Sequence, residues 1–235
     1  MRSSSQRTSL ICPRCRKLIN ANEPVCPYCG VSKPGNALTS LLNMRFNSPE
    51  ETIKTIITVN VILFVISLVL FPGKSGFGFS PFSFLSPGNQ SLFLLGSTGS
   101  IPIDHYNRWW TLITANFLHG SLMHILFNML ALRQLGPLVA NEYGLHRMII
   151  IYLLGGVAGF FISYLAGIRF TIGASASVCA LIGSALYYGK SRGGYYGRAI
   201  YSQISGWALG IFFFGLMVPG INNWGHGGGI LAGIL

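Results

Sequence analysis

Two serines with small neighbours stand in the stretch FTIGASASVCALIG, which runs from Phe170 to Gly183. Ser175 and Ser177 belong to a run of twenty residues, 170–189, without a charged side chain. A serine in an apolar helix usually packs against another helix. It becomes a nucleophile when a neighbouring base takes its hydroxyl proton during attack. The chemistry of these serines therefore depends on which base the fold brings to them.

Three histidines lie at the beginnings of apolar segments, where an ionisable side chain is costly and is therefore a functional candidate. They are His119, His124 and His226. His124 and Asn128 are four residues apart, so their side chains share one face of a helix. Such a pair can hold two membrane helices together by hydrogen bonds of about 1 kcal/mol, or it can serve a reaction. The pair alone leaves both interpretations open.

The last apolar segment carries a glycine stripe beside His226. The stripe consists of Gly225, Gly229 and Gly233, at intervals of four residues. It lets a second helix approach closely, and we expect that partner to be the segment that carries Ser175. The small residues expected to face the stripe are Gly173, Ser177, Ala180 and Ser184. Packing of the two helices would bring His226 and Ser175 within hydrogen-bonding reach, which predicts an activated serine.

A second set of reactive side chains lies near the amino terminus, in the stretch CPRCRKLINANEPVCPYC. It contains two Cys-x-x-Cys pairs, formed by Cys12, Cys15, Cys26 and Cys29. Four thiolates complete the tetrahedral shell that Zn²⁺ favours and leave no open position for a catalytic water. The spacing predicts a structural zinc ribbon over residues 1–35, whose folding energy comes from the metal. The alternative is four unconnected cytosolic thiols, and the spacing argues against it.

The elements that must position the serine and the histidines are membrane helices. Hydrophobic residues make up 51% of the chain and charged residues 9%, whereas soluble domains carry about 25% charged residues. A helix needs about 20 mainly apolar residues to cross a bilayer. The segments that meet this requirement are Thr55 to Phe71, Leu122 to Ala140, Met148 to Ala166, Ile172 to Tyr188 and Ala199 to Val218. A sixth apolar segment begins near Trp224 and reaches only Leu235, so it is either short or cut off.

The net charge of +11 is explained by membrane topology. Eight of the 16 Lys and Arg residues precede the first predicted span, and four more lie at Arg147 and in the loop 190–198. By the positive-inside rule this distribution places the amino terminus in the cytoplasm, and no nucleic-acid partner is expected. The first 50 residues contain no apolar core of a cleavable signal peptide. We predict a linker over residues 36–54 and a membrane domain over residues 55–235.

Three short motifs occur along the predicted second, fourth and sixth spans: HGSLMHILFN, GASA and GHGGGILAG. From about Thr55 onward the sequence resembles the rhomboid family of intramembrane serine proteases. The resemblance implies an all-α membrane protein with a six-transmembrane-helix bundle, here preceded by the small zinc ribbon. It implies a dyad of Ser175 as nucleophile and His226 as general base, with no cofactor in catalysis. It also implies that His124 and Asn128 are oxyanion donors.

By this resemblance the substrates are single-span membrane proteins that are cleaved within the lipid bilayer, and a bacterial inner membrane is the expected location. The ribbon is expected to dock a cytosolic protein partner. Two other functions stay open: a catalytically inactive relative that binds transmembrane clients, and a zinc-ribbon adaptor that the membrane part anchors. The presence of both Ser175 and His226 argues against the first. The adaptor leaves His124, Asn128 and His226 unexplained.

Two positions depart from the family pattern. Ala176 stands where the family most often has glycine. Its methyl is expected to crowd the fourth span against the sixth, with Gly227 and Gly228 relieving the contact. The family's usual Trp-Arg pair in the first loop reads Trp110-Thr111 here, which leaves the anchoring of that loop in question.

Overall fold

The computed structural model describes residues 9–15, 17–35, 48–71, 84–218 and 220–235. The chain divides into two compact units, Met1–Thr55 and Ile56–Leu235. Most of the predicted linker, residues 36–47, lies outside the described residues. The domain boundaries expected from the sequence therefore stay predictions.

The first unit contains a small antiparallel hairpin. Strand β1 covers Ser9–Ile11 and strand β2 covers Leu18–Asn20, with Ile11 paired to Leu18. Each cysteine pair lies in a tight turn: the Cys12 amide donates to the Lys17 carbonyl, and the Cys26 amide donates to the Val31 carbonyl, both at 2.9 Å. The buried cluster consists of Cys12, Ile19, Cys26 and Val31. Because a core this small cannot stabilise a fold by apolar burial alone, the hairpin needs a further cross-link such as a metal.

The second unit is helical, which confirms the predicted fold class. The helices within the described ranges are α1 (Pro49–Leu70), α2 (Asn89–Leu95), α3 (Thr111–Thr114), α4 (Leu122–Tyr143), α5 (Leu145–Leu165), α6 (Ser175–Arg192), α7 (Gly194–Met217) and α8 (Asn223–Ile234). A π-helical turn at Ile101–His105 and a 3₁₀ turn at Ala115–Phe117 complete the loop before α4.

Within the described ranges, four helices are long and apolar enough to cross a membrane: α1, α4, α5 and α7. The helix α6 is not among them, and it begins at Ser175 rather than at the expected Ile172. Eleven of its 18 residues are buried, so the protein rather than lipid surrounds it, and small and polar side chains suffice. The helix α8 has 12 residues, a length of about 18 Å.

The glycine stripe brings α8 against α6. A side chain at Gly229 would meet the carbonyl group of Ala176, and a side chain at Gly233 would meet the carbonyl group of Ala180. The same added atom at Gly233 would lie 2.9 Å from the amide nitrogen of Ser184. Main chain therefore touches main chain along this contact, which only glycine permits.

The prediction of which residues face the glycine stripe is partly wrong. Ala180 and Ser184 contact it, but Gly173 and Ser177 do not. Gly173 precedes the helix, and Ser177 lies on a neighbouring face of α6 that is turned to the third predicted span at Gly156. The spacing of small residues predicts that two helices pack, but not which rotation of each helix the packing uses.

Candidate active site and metal cluster

Ser175 is the first residue of α6 and is half-buried. Just before it, Gly173 has a φ of +126°, a conformation that favours glycine. The Gly173 amide donates to the Ala115 carbonyl at 2.9 Å, and Thr171 pairs with Thr98 through main-chain hydrogen bonds of 2.7 and 3.0 Å. These contacts fix the direction in which the chain enters α6. The first amides of α6, beginning with that of Ser175, have no carbonyl partner within the helix.

His226 lies in the first turn of α8, and its Nε2 is 2.9 Å from the Oγ of Ser175. For the hydroxyl to donate to this nitrogen, the ring proton must be on Nδ1. The Nδ1 atom is buried and has no hydrogen-bond partner among the described residues. Although all five carboxylates of the chain are described, none bonds this nitrogen. The contact with Ser175 is therefore not accompanied by a carboxylate on the second nitrogen of His226.

Asn222 holds the start of α8 in place, and sequence analysis did not identify it. Its Oδ1 accepts a hydrogen bond from the Gly225 amide at 3.0 Å, and its carbonyl accepts one from the His226 amide at 3.1 Å. Its Nδ2 donates to the Oγ of Ser163 at 2.6 Å and to the Oγ1 of Thr171 at 3.0 Å. One side chain thus joins α8 to α5 and to the segment before α6. An asparagine just before an apolar helix is an N-cap signal, and that signal could have found it.

The ring of His124 lies near Ser175, on the other side of Gly173. The Gly120 amide donates to the Nδ1 of His124 at 3.3 Å, so the neutral ring carries its proton on Nε2. A side chain at Gly173 would meet this Nε2 at 2.7 Å and the serine Oγ at 3.6 Å. Ser121 caps α4, because its Oγ accepts a hydrogen bond from the His124 amide at 3.2 Å. The arrangement places an N–H donor beside the serine.

Asn128 is buried one helical turn after His124, with 6% of its surface exposed. One of its Nδ2 hydrogens goes to the His124 carbonyl at 2.8 Å, and a carboxamide has a second one to donate. No hydrogen bond joins Asn128 to Ser175 in the described part of the chain. His119 is also buried, and its ring packs edge to face against that of His124, with a centroid distance of 5.0 Å. The structure thus groups Ser175, His226 and His124, while Asn128 lies on the same helix face as His124.

Ser177 makes a structural contact instead. Its buried Oγ donates to the Oδ1 of Asn116 at 2.9 Å, and the Asn116 amide donates to the Leu112 carbonyl at 2.8 Å. This pair anchors α6 to the loop that precedes α4. Of the two serines in the stretch, Ser175 is the one that contacts an imidazole.

Arg108 anchors the loop before α4. It donates to the carbonyl groups of Phe93 and Leu94 at 2.7 and 3.3 Å, at the end of α2. Its guanidinium lies 4.6 Å from the ring centroids of both Phe93 and Trp110. The loop therefore has an anchoring arginine although the Trp-Arg pair is missing. Arg108, two residues before Trp110, makes the contact with the aromatic ring.

The methyl of Ala176 points toward α5, so the expected crowding against α8 is wrong. Ala176 is 1% exposed and belongs to a buried cluster that includes Phe160. A side chain at Gly159 of α5 would meet its Cβ at 3.0 Å. Gly227 has open space around it and Gly228 packs against α5, so neither relieves a contact with this methyl.

The four ribbon cysteines form a cluster that can hold a metal ion. Their Sγ atoms all lie within 4.8 Å of one another. The Cys12–Cys29 and Cys15–Cys26 sulfur distances are 3.6 and 3.7 Å. Four thiolates bound tetrahedrally at about 2.3 Å would be about 3.8 Å apart. Two of the six sulfur pairs therefore match a tetrahedral shell, and no pair exceeds its spacing by more than about 1 Å.

The thiol groups of the cluster influence one another's pKa values. Burial raises the pKa of Cys26, but amides at Tyr28 and Cys29 and the neighbouring thiols outweigh it and lower the pKa to about 7. The Val31 amide lowers the pKa of Cys29, but burial and the three other thiols raise it to about 12. Cys26 therefore favours the thiolate form, whereas Cys29 resists becoming a second negative charge. A bound cation would remove that conflict.

Residues 106–235 match the family model described as the Rhomboid domain. The chain is 34% identical over 126 residues to "Rhomboid protease GluP" of Bacillus subtilis (strain 168), which covers 54% of this chain and 25% of that protein. It is 34% identical over 131 residues to "RHOMBOID-like protein 9, chloroplastic" of Arabidopsis thaliana, covering 54% of this chain and 30% of that protein. With "RHOMBOID-like protein 4" of Arabidopsis thaliana the identity is 29% over 195 residues, covering 76% of this chain and 50% of that protein.

The chain spans a quarter to a half of the length of these curated relatives. The family match, in contrast, covers more than half of the chain and includes all the histidines and serines of the site. With its apolar helices, the chain is an integral membrane protein. It belongs to the rhomboid family.

Proposed function

We propose that the chain is an intramembrane serine endopeptidase with Ser175 as nucleophile and His226 as general base. The observation that carries this proposal is the 2.9 Å contact between the serine Oγ and the histidine Nε2. The contact joins two helices that the sequence separates by 51 residues, and a serine bonded to an imidazole is an activated nucleophile. A transmembrane-client binder without activity has no need of this contact.

Attack by the Ser175 Oγ on a peptide carbonyl transfers the hydroxyl proton to the Nε2 of His226. The carbonyl oxygen becomes an oxyanion as the bond to Oγ forms. His124 supports it with the Nε2–H that faces Gly173, Asn128 with its second amide hydrogen, and α6 with its first-turn amides. Each such donor is typically worth about 3 to 4 kcal/mol in the transition state.

His226 then gives the proton to the leaving amine, and the acyl-enzyme forms. Water that loses a proton to the same Nε2 attacks the ester and releases the serine. Because no carboxylate holds the Nδ1–H of His226, the ring orientation depends on the helix that carries it. Asn222 serves this orientation through its bonds to α5 and to the segment before α6.

The substrates proposed are the transmembrane segments of single-span membrane proteins. A helical segment has its carbonyl groups bonded internally, so it must unwind locally before attack, which is tolerable only beside protein or water. We place the amino terminus in the cytoplasm on the distribution of Lys and Arg. We propose a bacterial inner membrane as the location, which fits the Bacillus subtilis relative, whereas one Arabidopsis thaliana relative is named chloroplastic.

We assign Zn²⁺ to the cluster of Cys12, Cys15, Cys26 and Cys29. A four-thiolate shell suits Zn²⁺ and leaves no position for a substrate, so the metal is structural. The sulfur distances of 3.6 and 3.7 Å support this assignment. Removal of the metal should unfold the ribbon, because its buried cluster is half cysteine.

The test of the protease proposal is labelling of the full chain in detergent with a fluorophosphonate, combined with cleavage of a model transmembrane substrate. We expect Ser175→Ala and His226→Ala each to abolish both labelling and cleavage. Ser177→Ala is the matched control, because this nearby serine bonds Asn116 and should leave the label in place. Labelling that persists in Ser175→Ala, or absence of labelling in the folded wild type, would contradict the proposal.

A further inference from the structure

The end of the ribbon hairpin next to the first cysteine turn exposes apolar side chains. Ile11 and Leu18 are paired across β1 and β2, so they share one face, and 65% and 66% of their surfaces are exposed. Tyr28, in the second cysteine turn, is 58% exposed. The buried cluster of the ribbon has only four members. A unit this small that leaves these three large side chains in contact with solvent, in addition to Val25, has a surface suited to binding.

Cationic side chains border these apolar residues. The Nζ of Lys17 lies 4.5 Å from the centroid of the Tyr28 ring. Arg14 is exposed and donates to a carbonyl group of the second cysteine turn, at Cys29, at 3.4 Å. The one acidic side chain among residues 9–35, Glu23, follows β2 at the opposite end of the hairpin. Positive charge and apolar surface therefore coincide, and the negative charge lies elsewhere.

From this arrangement we propose that the ribbon tip, formed by Ile11, Arg14, Lys17, Leu18 and Tyr28, docks onto an anionic lipid bilayer. The aliphatic pair enters the boundary between headgroups and acyl chains, the tyrosine stays at the interface, and the cations contact lipid phosphates. Each cation near such a surface strengthens binding about fivefold. A nucleic acid would engage the cations but leave the aliphatic pair in water, so the bilayer explains more of the surface.

The covalent connection to α1 makes even weak docking effective. Residues 36–48 separate the ribbon from Pro49, where α1 begins, and a chain of this length reaches at most about 45 Å. The bilayer that holds α1 is therefore always within reach. A tether of this length keeps the effective concentration of the surface high, on the order of millimolar.

The proposal rests on the ribbon being folded around the metal assigned above, and metal content per chain measures that separately. We would place the full chain in nanodiscs of phosphatidylcholine, with or without phosphatidylglycerol, and follow amide hydrogen exchange across residues 9–35. The expected result is exchange several-fold slower in the anionic discs, with the difference lost at high salt, where charges are screened. Equal exchange rates in both discs at full metal content would overturn docking. Slowing by added single-stranded DNA in the phosphatidylcholine discs would overturn it in favour of a nucleic acid.

Two charge reversals of equal size distinguish the tip from overall charge. Lys17→Glu should abolish the slowing in anionic discs. Lys33→Glu is the matched control, because Lys33 lies beyond the Val25–Ser32 bridge, away from Tyr28. This variant should keep most of the slowing in anionic discs. Equal loss in both variants would overturn the tip assignment. If Lys17→Glu lowers metal content, Lys17→Gln replaces it, while the salt series on the wild type still tests docking.

Discussion

The tautomer of His124 decides what its ring can do. The Gly120 amide occupies the Nδ1 lone pair at 3.3 Å, which leaves Nε2 protonated and unable to act as a base. This histidine can therefore donate to an oxyanion, while His226, whose Nε2 faces the serine hydroxyl, can accept a proton. In the proposed mechanism the two histidines therefore have different roles. The Gly120 amide occupies the Nδ1 of His124, whereas the Nδ1 of His226 has no partner among the described residues.

His124→Ala is predicted to lower kcat for transmembrane substrate cleavage by about a hundredfold or more, because one oxyanion donor is lost. The KM should change little, since the donor acts on charge that develops only in the transition state. Steady-state cleavage in detergent measures both constants. The matched control is His146→Ala, which removes an exposed histidine at the start of α5. An equal effect of both substitutions would contradict the assigned role.

Asn222→Ala is predicted to lower both the unfolding midpoint and kcat. The substitution removes an N-cap worth about 1 kcal/mol and two side-chain hydrogen bonds of 2.6 and 3.0 Å, so α8 and its His226 lose their fixed position. Asn222→Asp keeps the cap acceptor and should recover part of the stability without the two donated bonds. Fluorophosphonate labelling rates and thermal unfolding measure the two effects.

Asn223→Ala is the control for Asn222→Ala. The Oδ1 of Asn223 is buried and has no hydrogen-bond partner among the described residues. Asn223→Ala should therefore cost less activity than Asn222→Ala. A larger loss in Asn223→Ala would show that the helix start depends on something other than the cap network.

At the scale of elements, Arg108 joins α2 to the loop before α4. Arg108→Ala is predicted to destabilise the membrane unit by about 1 to 3 kcal/mol, because the carbonyl groups of Phe93 and Leu94 lose a charged donor. Arg108→Lys should recover little of the lost stability, since a lysine ammonium has no planar group that could stack against the two aromatic rings. Thermal unfolding in detergent measures both variants. Arg169→Ala is the control, because Arg169 contacts the same loop through its carbonyl group, and an equal loss there would contradict the anchoring role.

The sequence was a better guide to which segments contact each other than to the rotation of each helix about its axis. Regular spacing carries the first kind of information: the four-residue interval of Gly229 and Gly233 predicts a close helix contact, and the two Cys-x-x-Cys pairs predict the cluster. The rotation of α6 depends on contacts made far along the chain, such as the bond from Ser177 to Asn116. No local pattern encodes that bond, so the predicted partner face was partly wrong.

Side chains that bond main-chain groups of distant segments escaped prediction for the same reason. Arg108 bonds carbonyl groups 14 and 15 residues earlier in the chain, and every residue offers a carbonyl, so the sequence does not identify the acceptor. Histidine, by contrast, is rare in this chain, with five among 235 residues, and a histidine at the start of an apolar segment is a functional candidate. That rarity made His226 visible in the sequence, whereas Ser175 was distinguished from the other serines by the motif that carries the family resemblance.

At the scale of the whole molecule, the ribbon and the membrane unit have different sources of stability. The ribbon has a small cluster with two cysteines, whereas the membrane unit buries α6 among other helices. A metal held by the four cysteines could therefore be removed from one unit without touching Ser175 and His226 in the other. Loss of the metal should therefore change the binding of the ribbon rather than the rate of peptide-bond cleavage.

We predict that removing the metal with a strong chelator, or replacing Cys12 and Cys15 by serine, unfolds residues 9–35 but leaves cleavage in detergent within about twofold of the wild type, a difference of less than ~0.5 kcal/mol. Metal content, amide exchange of the ribbon and the cleavage rate are measured on the same sample. Cys179→Ser is the control, since this buried thiol of α6 lies outside the cluster and should leave the metal content unchanged. A large loss of cleavage after metal removal, with the membrane unit still folded, would mean that the metal supports the active site. The four-thiolate shell leaves no coordination position for substrate, so such a result would require an energetic link between the two units.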